Sequence, residues 1–237
     1  MKPFNQPVFV TGAERSGSSL IARILELSGI FTGRTTNMFE NIKLLNLSRT
    51  YLQYPPITGY HTPPRDHFFP KTDQLNIPLD WKNKVDHILR EEGYRNNQWM
   101  FKCSLIAPMW PIWNYAYPNA RWLIVRRRTG DVIESCVKTT YMTLCKDQLN
   151  LDKINVTTER EGWKWWVHQY EEKFVEMIEA GVNCKIIWPE RMVSGDYQQI
   201  YETLEWLGFN WSTKIVEVID PMLIKSRRKY NGTSYGG

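Results

Sequence analysis

Residues 12–19, Gly-Ala-Glu-Arg-Ser-Gly-Ser-Ser, place two glycines, three serines and an arginine in one short loop. Those residue types suit an anion. Gly12 and Gly17 let backbone N–H groups converge on one point, the hydroxyls of Ser16, Ser18 and Ser19 add donors, and Arg15 adds a fixed positive charge. Glu14 is the exception, since a carboxylate repels phosphate, and it is expected to point away from the ligand.

The flanking elements support this reading. The apolar run 7–11 stops at Gly12 and predicts a buried strand followed by a turn. Leu20, Ile21, Ile24, Leu25 and Leu27 then recur at helical spacing, with Gly29 closing the helix. A loop between a strand and a helix receives the free N–H groups and the positive dipole end of that helix.

A second basic segment, Arg126-Arg127-Arg128, follows the apolar run 120–125. Arg127 can form two parallel bonds to a phosphate at the carboxyl end of a sheet. Ser135 lies eight residues further on, where a helix predicted from about Asp131 offers its hydroxyl from the first turns. Asp131 is expected to cap that helix.

The remaining chain supplies further strands at 99–103 and 185–188 and helices at 81–94, 163–177 and 200–207. Strands alternating with helices predict a three-layer α/β/α domain around a mostly parallel sheet. The stretch at about 51–80 is rich in proline and aromatic residues, and predicts an irregular excursion that contacts substrate.

In the order and content of its two basic segments, the chain resembles the sulfotransferases that use 3′-phosphoadenosine 5′-phosphosulfate, from about Val8 to Gly208. The loop departs from the Walker A pattern in a telling way. Walker A places Lys directly after its second glycine, where this chain has Ser18. Its cation is Arg15, two residues before Gly17, as in sulfotransferases whose loop carries Lys or Arg early and ends in a Ser or Thr pair.

The resemblance implies a single domain over residues 1–237 with a P-loop NTPase-like fold. It implies 3′-phosphoadenosine 5′-phosphosulfate as donor, adenosine 3′,5′-bisphosphate as product, and no metal. Gly12, Arg15, Ser16, Gly17, Ser18 and Ser19 would then hold the donor, with Arg15 on the leaving 5′-phosphate. Arg127 and Ser135 would take the 3′-phosphate, and Lys102 would reach the sulfuryl group. Trp188 stands where the family often has a Tyr-Glu-Asp strand end, and either stacks on adenine or packs in the core. Arg227 and Arg228 resemble the basic segment that closes over the 3′-phosphate in cytosolic members.

Those members carry Lys-Thr-His where this chain has Lys102-Cys103-Ser104, so their histidine is missing. Other branches use a Glu shortly after the first helix, and Glu40 falls there. Glu40 is the expected general base, with His61 and His67 as outside candidates. The implied acceptor is a small-molecule, carbohydrate or lipid hydroxyl, or an amine.

Two other functions fit parts of the pattern. A P-loop kinase needs Lys after the second glycine and a carboxylate-ended strand for magnesium, whereas the other central runs end at Lys102, Arg127 or Trp188. A non-catalytic nucleotide- or carbohydrate-binding module would not require both Arg15 and Lys102.

Composition sets the outer limits. With 237 residues, 42% hydrophobic and 23% charged, the chain can bury a full α/β core. A net charge of +5 suits an anionic ligand but is too mild to indicate nucleic acid. Cys103, Cys136, Cys145 and Cys184 form no CxxC pair and read as buried thiols in a reducing compartment. No apolar run is long enough to span a bilayer, and the N-terminus runs directly into a strand, so the expected location is cytoplasmic.

Overall fold

The computed structural model describes residues 6–54, 69–95, 98–140 and 142–219. His61, His67, Arg227 and Arg228 lie outside the described residues. Four strands form the sheet: β1 (Val8–Thr11), β2 (Met100–Lys102), β3 (Arg121–Val125) and β4 (Cys184–Ile187). The helices are, in chain order, α1 (Ser18–Leu27), α2 (Ile42–Tyr51), α3 (Trp81–Glu91), α4 (Trp110–Ala116) and α5 (Thr129–Lys138). They continue with α6 (Gln148–Lys153), α7 (Glu159–Glu179), α8 (Pro189–Val193), α9 (Gln198–Leu207) and α10 (Lys214–Val218).

The strand order is β2-β1-β3-β4, and each of the three pairings is parallel. The chain leaves β1 towards β2 on one side and resumes with β3 on the other. The ends of β1 and β3 therefore flank the switch point, where open α/β sheets bind ligands.

Side-chain alternation builds the two outer layers. Along β1, Val8 and Val10 face one core while Phe9 faces the other, and all are fully buried. The Val8 side packs with Leu123, Val125 and the α1 residues Ile21, Ile24 and Leu25, and with Leu204 of α9. The Phe9 side is aromatic: Phe9 meets Trp99, Trp113, Tyr117 and Trp122 at ring separations of 4.7–6.1 Å. Burying one such side chain stabilises the fold by roughly 1.5–3 kcal/mol.

Several boundaries differ from the expected ones. Helix α5 starts at Thr129, with Arg128 as its N-cap, so Asp131 lies in the first turn and does not cap it. Its carboxylate instead accepts from Arg128 Nε at 2.9 Å. Residues 55–68 of the expected excursion lie outside the described residues, and its two ends are described. Tyr51 ends α2, residues Thr72–Gln74 form a 3₁₀ turn, and Tyr51 donates its hydroxyl to the Asn76 carbonyl at 2.7 Å. Nearby, Lys173 Nζ reaches Thr72 Oγ1 at 2.6 Å and Glu176 Oε1 at 2.9 Å, pinning the second end to α7. Helices α2, α4, α6, α8 and α10 were not expected. Most are short or carry few apolar residues in period, and tertiary packing supplies their stability.

Candidate active site

The loop after β1 is shaped by close backbone approach. A Cβ on Gly12 would lie 2.4 Å from the Val125 carbonyl oxygen, so only glycine lets the loop pass the end of β3. Ser16 N–H closes a turn on the Ala13 carbonyl at 3.0 Å. Arg15 sits at φ 69° and Gly17 at φ 94°, both in the left-handed region. Gly17 is also the N-cap of α1 and brings no side-chain cap. The Ser16 hydroxyl is buried and has no hydrogen-bond partner among the described residues. An uncapped helix start, a glycine cradle and an orphaned hydroxyl together suit a bound phosphate.

Arg127 emerges two residues past β3 and is 8% exposed. Its Nη1 donates to the Arg15 carbonyl at 3.3 Å, and its Nε lies 3.9 Å from Glu190 Oε1. Burial lowers the Arg127 pKa, against the raising charges of Asp131 and Glu190. Arg15 Nε donates to Ser135 Oγ at 2.9 Å. The loop cation, the strand-end arginine and the helix serine are thus one cluster.

On the other side of β1, Lys102 ends β2 in register with Val10. It is no surface lysine: its side chain is 8% exposed, and its Nζ lies 3.1 Å from Glu40 Oε1. Glu40 is buried too, its side chain 11% exposed. The pairing compensates both charges for their lost hydration.

A tight turn places Glu40. Thr36 N–H donates to the Glu40 carbonyl at 2.9 Å, Glu40 N–H donates back to Thr36 Oγ1 at 3.3 Å, and Phe39 adopts φ 63°. Asn41 then caps α2 through Leu44 N–H at 3.0 Å. Ser19 Oγ donates to the Met38 carbonyl at 3.4 Å, which holds the turn against the start of α1. The turn therefore brings Glu40 back towards the loop.

Glu14 does turn its carboxylate elsewhere, to α7, where it accepts from Trp166 Nε1 at 2.7 Å and Tyr170 Oη at 3.0 Å. Trp188 is half-buried just past β4, with the Arg126 guanidinium 5.0 Å from its ring centre. Arg126 is in turn paired with Glu171 at 2.5 Å. His87 and His168 are well exposed on α3 and α7.

Arg49 escaped the sequence reading. It lies on α2, 7% exposed, and burial lowers its pKa against the raising influence of Cys103, Tyr54 and Glu40. The missed signal was an arginine four residues after Leu45, on the apolar face of a short helix.

Neither a protein-family model nor a curated protein sequence matches this chain. Solved structures do. The sulfotransferase STF9 from Mycobacterium avium superposes with a TM-score of 0.55 at 12% identity, over 96% of this chain and 70% of that one. The sulfotransferase domain from the curacin biosynthetic pathway gives a TM-score of 0.57 at 13% identity, over 90% of this chain and 77% of that one. The chain shares the fold of these two sulfotransferases; in this chain a parallel sheet lies between helical layers and the glycine-serine loop follows the first strand.

Proposed function

We propose that this chain is a sulfotransferase moving a sulfuryl group from 3′-phosphoadenosine 5′-phosphosulfate to a hydroxyl or amine acceptor by in-line displacement. The observation that carries the reading is the buried Lys102–Glu40 pair, which lies beside the phosphate-type loop in a chain with the sulfotransferase fold. When bound, the donor supplies an activated sulfuryl group. Gly12, Ser16, Gly17, Ser18 and Ser19 hold its 5′ end, and Arg15 neutralises charge on the leaving phosphate. Arg127 and Ser135 receive the 3′-phosphate, which requires Arg15 to release Ser135. Trp188 offers a half-exposed aromatic face to the adenine. Lys102 stabilises the moving group, and Glu40 accepts the proton of the attacking hydroxyl.

The strand ends favour this reading over a magnesium-dependent kinase, because β2 ends in Lys102 and β3 leads into Arg127. Magnesium sites of that class need a carboxylate at such a position.

Calorimetry tests the donor site. The chain is expected to bind adenosine 3′,5′-bisphosphate far more tightly than adenosine 5′-phosphate, and Arg127→Ala to remove roughly 2–4 kcal/mol of that binding. Equal affinity of the unaltered chain for both nucleotides rejects the reading. Labelled donor presented to sugar, phenol and lipid-alcohol pools then identifies the acceptor.

A further inference from the structure

A carboxylate inside a phosphate-type loop needs a physical account, and so does the backbone of the residue beside it. Arg15 is a non-glycine residue at φ 69°. That conformation is costly for a residue with a Cβ, and it persists only where the surroundings hold it. Two restraints converge on it. After Arg15, its carbonyl accepts from Arg127 Nη1 at 3.3 Å. Before it, Glu14 is anchored to α7 by Trp166 Nε1 at 2.7 Å and Tyr170 Oη at 3.0 Å.

Both donors are buried. Tyr170 is fully enclosed and Trp166 is 7% exposed, and they pack edge to face with ring centres 5.6 Å apart. Burial raises the Tyr170 phenol well above its ordinary value, and the charge of Glu14 raises it further, so the hydroxyl stays a donor. Helix α7 has a capping box at its start and runs from Glu159 to Glu179, which makes it a rigid support.

We propose that Glu14 and Tyr170 are positioning residues for Arg15: the Glu14–Tyr170 hydrogen bond holds the loop in the backbone conformation from which the Arg15 side chain, bonded to Ser135 here, turns to the donor's 5′-phosphate. The proposal rests on the donor reading above and goes beyond it by giving the loop carboxylate a role. Tyr170 touches no reacting atom and acts through Glu14; its hydroxyl also hydrogen-bonds the Ser104 side chain, so Glu14→Ala is the variant that isolates the effect on Arg15.

The test uses two nucleotides that differ only at the 5′ end: adenosine 3′,5′-bisphosphate and adenosine 3′-phosphate. The affinities of the unaltered chain, Tyr170→Phe, Arg15→Ala and the double variant are measured by calorimetry. Tyr170→Phe removes one hydroxyl and keeps the ring contacts to Phe69, Trp166 and Phe174. It is expected to weaken bisphosphate binding about tenfold and to leave 3′-phosphate binding unchanged, the scale of one lost charge-assisted bond. In the Arg15→Ala background the same change is expected to add no further loss, because a misaimed and an absent arginine are equivalent. Glu14→Gln, which keeps one acceptor oxygen, is expected to lose less than Glu14→Ala, and this pair carries the test if Tyr170→Phe fails to fold. Unchanged bisphosphate affinity in Tyr170→Phe and Glu14→Ala overturns the proposal, and so does an equal loss for both nucleotides, which marks general damage. If the unaltered chain binds the two nucleotides equally, the donor reading itself is at fault.

Discussion

At the residue scale, the Lys102–Glu40 pair is the most exposed point of the functional reading. Two opposite charges at 3.1 Å, both nearly excluded from water, serve stability and chemistry at once. Removing one partner leaves the other buried without compensation. Lys102→Met is expected to cost about 3 kcal/mol of unfolding free energy, and adding Glu40→Gln to restore part of that loss. Urea denaturation reads both; additive losses mean the two groups are not coupled. Glu40→Gln alone is expected to lower kcat by about 10²–10⁴-fold with bisphosphate affinity nearly unchanged. Near-normal turnover in that variant moves the base elsewhere.

At the element scale, the loop and α7 answer differently to substitution. Gly12→Ala drives a Cβ to 2.4 Å from a backbone oxygen of β3, where neither partner can yield cheaply. It is expected to cost about 1–3 kcal/mol and to abolish bisphosphate binding, since the cradle itself must shift. Thr158 accepts from Glu161 N–H in the capping box of α7, far along the helix from Tyr170. Thr158→Ala is expected to cost about 1 kcal/mol and to leave nucleotide affinity intact. Thermal melts paired with calorimetry separate the two; equal nucleotide loss in both variants contradicts the loop's special role.

At the scale of the whole molecule, the sheet order governs what is accessible. The core on the Phe9 side encloses Cys103, Cys136 and Cys145, while Cys184 at the start of β4 is only half-buried. Burial pushes all four thiols up, with Cys145 reaching about 12, so at pH 8 the enclosed three carry almost no thiolate. A disulfide reagent at that pH is expected to modify Cys184 first in the native chain and all four thiols only after denaturation. Rapid native modification of Cys103, which adjoins Lys102, means that the site opens more widely than the static fold implies.

Much of the architecture was written locally. The apolar runs of β1 to β4, Gly12 and Gly17 in the loop, and Gly208 at φ 82° after α9 declare themselves through side-chain type and short spacing. Each is a matter of backbone preference or burial period within a few residues. Hence the loop and Arg127 were legible as candidates from residue type and spacing, while Lys102 and Glu40 were candidates through the resemblance to the sulfotransferases. The start of α5 was misread because Asp131 looks like a cap, whereas Arg128 provides the helix boundary and binds the Asp131 side chain. What the chain alone does not state is which candidates meet. Glu40 and Lys102 are 62 residues apart, Arg15 and Ser135 are 120, and Glu14 and Tyr170 are 156. Those meetings depend on β1 lying between β2 and β3 and on α7 packing behind the loop. That order is set by burial summed over two cores rather than by any local motif. The sequence thus supplied the charged groups and the loop, and the tertiary structure decided that Lys102 faces Glu40 and that Glu14 turns away to Trp166 and Tyr170.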